Sequence, residues 1–328
     1  MTGGITTRLT AILGTRLPII QGGMRWASRA VLAAAVSEAG GLGMISAHTQ
    51  PDAASLAREI EHARSLTSQP VGVNLTILAA NRGFDYDALV ATIIAAKVPV
   101  VETAGSNPAK YLPALKAAGV RLIHKCTSVR HALKAEQLGV DAVTLVGFEG
   151  AGHPGEDDVP ALVLLPVAAR SLKLPVIACG GFTDGRGLVA ALALGAEGIA
   201  MGTRFLLTKE SGLHAEIKAR MLAANERDTV LVGRSYRDSA RVLRNRVVDQ
   251  ALEIEARGGA TYGELEPLIG ASRWMRAMEM GEVDGGAIPA GMGIGLIDDL
   301  PSCRELIDRI SAQARDLLAG RLAQIAAL

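Results

Sequence analysis

PVIACGGFTDGRGLVAALALGAEGIAMGTRF, residues 175–205, decides the fold. A short apolar run ends in Gly180-Gly181. After Asp184 comes an Ala/Leu-rich stretch of helical period that closes on Gly195. A second apolar run, GIAMGTRF, then ends in Gly202-Thr203. Apolar on every residue, each run reads as a strand buried on both faces, and the segment between them as the helix that joins parallel neighbours.

The same unit recurs towards the N-terminus. Strands are expected at LPIIQGG (17–23), GLGMISA (41–47), VGVNLTI (71–77), PVVETAG (99–105), RLIHKCT (121–127) and AVTLVG (142–147). Segments such as SRAVLAAAVSEAG, DAASLAREIEHARSL and SVRHALKAEQLG supply the helices, and Gly40, Gly119, Gly139 and Gly195 are placed as left-handed helix caps. Eight such units predict a closed (β/α)₈ TIM barrel, an α/β fold. An open doubly wound sheet is the alternative, but its G-x-G-x-x-G signal after the first strand is missing. The rhythm breaks after residue 207. The expected organisation is a barrel over 1–207, a smaller and mainly helical lid over 208–290, and a helical segment over 291–328 that returns to the barrel. The Asp-rich start of that last segment suits a helix N-terminus.

Composition narrows the function. With 328 residues, 49% of them hydrophobic, and a net charge of +1, the chain can bury a large core and carries no charge block aimed at nucleic acid. Cys126, Cys179 and Cys303 are sparse and odd in number, which reads as reduced thiols. Neither a signal-peptide pattern nor an apolar run of about 18 residues is found, so a cytoplasmic protein without a membrane partner is expected. It would act on a small molecule as a monomer or homodimer.

In such a barrel the chemistry lies where the strands end. Gly180-Gly181 and Gly202-Thr203 close strands seven and eight, where bare backbone amides can approach a phosphate. Lys125 ends strand five. It could neutralise an electron-rich ring, form a Schiff base, or simply pair with Glu102. Asn74 offers both a donor and an acceptor to a planar heterocycle, or serves as a turn residue. The loop GFEGAGHPGEDDVP (147–160) surrounds His153, a candidate proton acceptor, with four glycines. Its acidic trio, Glu156, Asp157 and Asp158, is read as solvated or as a helix-start cap. Cys179 lines the pocket or is an inert buried thiol with no evident basic neighbour. Arg234, Arg237, Arg241 and Arg244, if helical, would share one face that could meet ligand phosphates.

The segments PIIQGGM, GGLGMISA, GVNLT, HKCTSVRHALKAEQLGVDAV, GFEGAGHPGEDD, ACGGFTDGRGLVAALALGAEGIAMGTRFLLTKE and GLIDDLPSC, in this order, resemble the nitronate monooxygenase family. The resemblance covers nearly the whole chain and is weakest over 208–280. It implies an FMN-containing TIM barrel. Gly22, Gly23 and Met24 would flank the isoalloxazine, Asn74 and Lys125 would meet its polar edge, and Ala151, Gly152 and Cys179 would lie in the flavin site. Gly180, Gly181, Gly202 and Thr203 would cradle the phosphate, and His153 would be the base on the substrate side. Oxidation of alkyl nitronates by O₂ is the first activity implied. The alternative is an NADH:quinone reductase with NAD(P)H as donor, to which the GHPGEDD loop is nearer. Enoyl or CoA-thioester redox chemistry is a remoter branch. Outside this resemblance stand a lysine-dependent aldolase and a non-catalytic binding barrel.

Overall fold

The computed structural model describes residues 5–78 and 83–326. Eight strands, β1 (Ile19–Gln21), β2 (Gly43–Ser46), β3 (Val71–Ile77), β4 (Val100–Gly105), β5 (Arg121–Cys126), β6 (Ala142–Val146), β7 (Val176–Cys179) and β8 (Gly198–Met201), form one parallel sheet. The sheet closes on itself: β1 pairs with β8 on one side, and Ile20 bridges Leu42 beside β2 on the other. All eight expected strands are present, and the architecture is a TIM barrel.

Helix α1 (Arg8–Leu13) precedes the first strand. The strands are then connected by α2 (Ala30–Glu38), α3 (Ala53–Leu66), α4 (Tyr86–Ala95), α5 (Leu112–Ala117), α6 (Val129–Leu138), α7 (Ala161–Ser171) and α8 (Gly185–Ala193). Local chemistry sets their ends. Asp52, Ser128 and Asp184 each accept a first-turn amide of the helix that follows, which satisfies a donor the helix cannot. The four glycines placed as caps all have positive φ. Leu9 and Leu13 of α1 pack with Ile20, Met44, Val100, Ile123 and Ile177, sealing the N-terminal end of the barrel with apolar side chains. A larger cluster fills the space between strands and helices.

Beyond β8 come α9 (Thr203–Leu206), α10 (Ala215–Leu222), an antiparallel hairpin of β9 (Thr229–Val232) and β10 (Ala240–Leu243), then α11 (Arg246–Glu255), α12 (Tyr262–Ile269) and α13 (Ala271–Met280). The arginine run is therefore corrected. Arg234 opens a 3₁₀ turn, Arg237 is left-handed and Arg241 lies in β10, so the four share no helix face. Arg241 is buried with its guanidinium 4.3 Å from the Phe148 ring, Arg234 pairs with Asp158, and Arg244 pairs with Asp249.

Helix α14 (Cys303–Leu317) packs Leu306, Ile307 and Ile310 into the barrel's outer core. A final short helix, α15 (Ala323–Ala326), follows it. The helix start also needs correction. Ser302, in a capping box with Glu305, caps α14, while Asp299 instead pairs with Arg204 and Arg309. No helix among the described residues is long and apolar enough to cross a membrane.

Candidate active site

Alternation along β4 turns Val100 into the sealed apolar layer and lifts Glu102 one layer higher in the barrel. Glu102 is fully buried. Register places it beside Asn74 on β3, while Lys125 on β5 stands beside Thr144 on β6. The four side chains meet. Asn74 Nδ2 donates to Glu102 Oε2 at 2.9 Å, Thr144 Oγ1 donates to Oε1 at 3.1 Å, and Lys125 Nζ lies 2.9 Å from Oε2. Both carboxylate oxygens are thus occupied, as a buried charge requires. Burial alone would push the Lys125 ammonium down. Glu102 overcomes this and holds it above its ordinary value.

The end of β1 closes over this cluster. A Cβ on Gly23 would lie 2.2 Å from Asn74 Cγ, so only glycine lets the backbone pass there. A Cβ on Gly22 would lie 3.8 Å from Lys125 Nζ, and one on Gly202 would lie 3.5 Å from Met24 Sδ. Gly22, Gly23, Met24, Asn74, Lys125 and Gly202 are therefore brought together at the mouth. Burial pushes the Cys179 thiol up and Lys125 opposes the shift. The expectation that Cys179 has no basic neighbour is thus corrected: strands five and seven bring Lys125 to it through space, at a sequence distance no local motif reports.

On the other side of the mouth, Gly180 and Gly181 have φ of +94° and +83° and turn the chain sharply out of β7. A Cβ on Gly180 would meet Gly147 O and Gly150 N at 3.0 Å, which locks this turn against the β6–α7 loop. Among the described residues no carbonyl accepts the amides of Gly181, Gly202 and Thr203. The Thr203 hydroxyl accepts the Gly291 amide at 3.0 Å. Gly152, next to Ala151, exchanges two backbone hydrogen bonds with Arg241 of β10, so the hairpin grips the loop that carries His153. His153 itself is 66% exposed, its Nε2 3.5 Å from Asp238 Oδ1, and stands outside the buried cluster.

The acidic residues of that loop do not cap α7. Glu156 accepts the Ser239 amide and hydroxyl at 2.8 and 2.7 Å, and Asp158 binds Arg234, so two of the trio fasten the loop to the hairpin. Their partners lie far away in sequence, beyond the reach of any local signal. The carboxylate at the start of α7 is Glu149, which accepts the Ala161 amide.

Two buried histidines stand at strand ends: His124, placed at the end of strand five by the sequence but with no role, and His48, which the sequence does not single out. His124 Nδ1 lies 2.8 Å from Thr103 Oγ1. His48 follows β2, and burial, reinforced by Arg25, pushes it down to about 4. Tyr86 donates its single proton to Thr76 O and accepts from Leu78 N. His48 Nε2, 3.2 Å from the same hydroxyl, must then carry the proton of a neutral ring. The position of His48 just after an apolar run was the available signal.

A closed parallel barrel with a lysine–carboxylate pair under one side of its mouth and acceptor-free backbone amides on the other defines a (β/α)₈ enzyme scaffold. The chain belongs to the nitronate monooxygenase family: the family model of that description matches residues 6–83 and 78–313. It is an oxidoreductase of this family. It is similar to FabK from Thermotoga maritima, with 37% identity, a TM-score of 0.90, and 98% of this chain and 99% of that one covered. A (3aS,4S,5R,7aS)-5-hydroxy-7a-methyl-1-oxo-octahydro-1H-indene-4-carboxyl-CoA dehydrogenase of Rhodococcus jostii is 34% identical over 94% of this chain and 96% of its own length. A probable nitronate monooxygenase of Staphylococcus aureus is 32% identical over 76% of this chain and 81% of its own length.

Proposed function

We propose that the chain is an FMN-dependent oxidoreductase acting on an acyl thioester, with NAD(P)H as the electron donor or its oxidised form as acceptor. The observation that carries the flavin reading is the pairing of two features at one mouth: the Lys125–Glu102–Asn74 cluster and the acceptor-free amides on strands seven and eight. These donors fit FMN. The amides of Gly181, Gly202 and Thr203 would hold its phosphate, and Asn74 and Lys125 the polar edge of its ring. Gly22, Gly23, Met24, Ala151, Gly152, Cys179 and Gly180 would line the site between.

FMN, when bound, supplies reversible acceptance of a hydride. The protein's part is orientation and charge. The Lys125 ammonium faces negative charge at the ring edge, and the rigid Gly180-Gly181 turn fixes the phosphate end. His153, carried on a loop clamped by β10, holds or moves a proton on the substrate side. The 208–290 segment acts as a lid through the same hairpin.

The thioester is supported by the carboxyl-CoA dehydrogenase, whose similarity runs over 94% of the chain, against 76% for the probable nitronate monooxygenase. Nitronate oxidation is the second reading, favoured by the family match and by His153 at an exposed position. Anaerobic mixing separates the two. Bleaching of the flavin by NADH, with return of colour on adding an enoyl thioester, supports the first. Bleaching by a nitronate alone, with none by NADH, overturns it.

A further inference from the structure

We propose that Glu102 is a positioning residue for the flavin site: its buried carboxylate fixes Lys125 at the ring's polar edge and sets how much positive charge the ring meets there. The inference rests on the FMN reading above and deepens it. Three neighbours converge on this one carboxylate from three different strands. Glu102 is fully buried, whereas the Lys125 side chain is 19% exposed, so the pair opens towards the mouth at its lysine end only. A ligand seated across the mouth meets the ammonium directly, and the carboxylate acts on that ligand through Lys125 and Asn74. The same carboxylate also aims the Asn74 amide. With Glu102 ionised the pair is neutral overall. The ring then faces a dipole, positive end outward, instead of a net cation.

The sign of its effect follows. An unpaired cation at the ring edge favours the reduced, more negative flavin over the oxidised one. Neutralising Glu102 therefore strengthens relative binding of the reduced form. Removing Lys125 while leaving Glu102 presents uncompensated negative charge and does the reverse.

The test is the two-electron midpoint potential of the bound flavin in the holoenzyme, measured by equilibration with redox dyes. Glu102→Gln should raise it by roughly 30 mV, the equivalent of tenfold tighter relative binding of reduced flavin. Lys125→Met should lower it. The double variant Lys125→Met/Glu102→Gln should return towards the wild-type value and be more stable than Lys125→Met alone, because replacing both members of a buried pair leaves no orphan charge. If Glu102→Gln does not fold, the potential and stability of the double variant against Lys125→Met decide the matter. An unmoved potential in Glu102→Gln, a double variant no nearer the wild-type potential than Lys125→Met, or a double variant no more stable than Lys125→Met would overturn the proposal. A wild-type protein without flavin would instead remove the FMN reading, so the two failures are distinct.

Discussion

Substituting Gly23 by alanine tests how tightly the first strand's end is fitted to the polar cluster. The added methyl would lie 2.2 Å from Asn74 Cγ, 2.3 Å from its Cβ and 2.6 Å from its Oδ1. The base of the side chain is struck, so rotating the amide gives no escape. Asn74 must retreat by about 1.2 Å to reach ordinary contact near 3.4 Å. That shift breaks its 2.9 Å bond to Glu102. Overpacking of this kind costs about 1–3 kcal/mol. A lost hydrogen bond to a buried charged group adds roughly 1.5–3 kcal/mol. A combined loss of about 3–5 kcal/mol lowers Tm by roughly 4–7 °C for a chain of this length. Thermal unfolding at fixed pH and saturating FMN reads the stability, and equilibrium titration with FMN reads the affinity, which should fall at least tenfold. Adding Asn74→Gly removes every struck atom, the Cβ included, and should recover part of the stability but not the affinity. Gly23→Ala with a stability loss under about 1 kcal/mol and unchanged FMN affinity would refute the close fit of strands one and three.

The pH dependence of stability provides a further check on Lys125. Because its folded pKa is raised, its contribution is fully present below the unfolded value near about 10.4 and is lost only as pH rises through the folded value. In Glu102→Gln the partner that outweighs burial is gone and burial, opposed only by the Cys179 thiol, lowers that pKa, so the stability deficit should shrink as pH rises towards about 10. Urea unfolding from pH 6 to 10 measures this, and a deficit independent of pH contradicts the pairing. Arg241→Ala removes a buried guanidinium that covers Phe148 and donates to Phe148 O at 3.1 Å, and should cost about 1–3 kcal/mol in unfolding experiments. His153→Ala should lower turnover roughly 100-fold or more while flavin content, read from absorbance after denaturation, stays at the wild-type level.

Much of the barrel is legible because its rules are local. Each strand is a short run of apolar residues, each helix repeats at its own period, and Gly40, Gly119, Gly139 and Gly195 punctuate the joins. Lys125 and Glu102 were legible for a related reason: a charged residue inside an apolar run has few places to go, and each was the other's most obvious partner. The rest depends on contacts distant in sequence. Arginines spaced 3, 4 and 3 apart suggest a helix, yet Arg241 lies in a strand paired with Leu231, and its side chain reaches Phe148, 93 residues earlier. Glu156 and Asp158 read as solvated charges until the hairpin that binds them is folded beside them. The place of His48 after an apolar run hints at its burial, but its partner Tyr86 lies 38 residues further on, where no local signal reaches.

The central claim is that a flavin phosphate is held where strands seven and eight end, with the ring's polar edge on Lys125. The most direct measurement is the visible absorbance of the purified protein before and after equilibration with FMN, with the bound cofactor counted per chain. The account predicts a yellow protein that holds about one FMN, and weaker retention in Lys125→Ala. A colourless protein that takes up no FMN would contradict it.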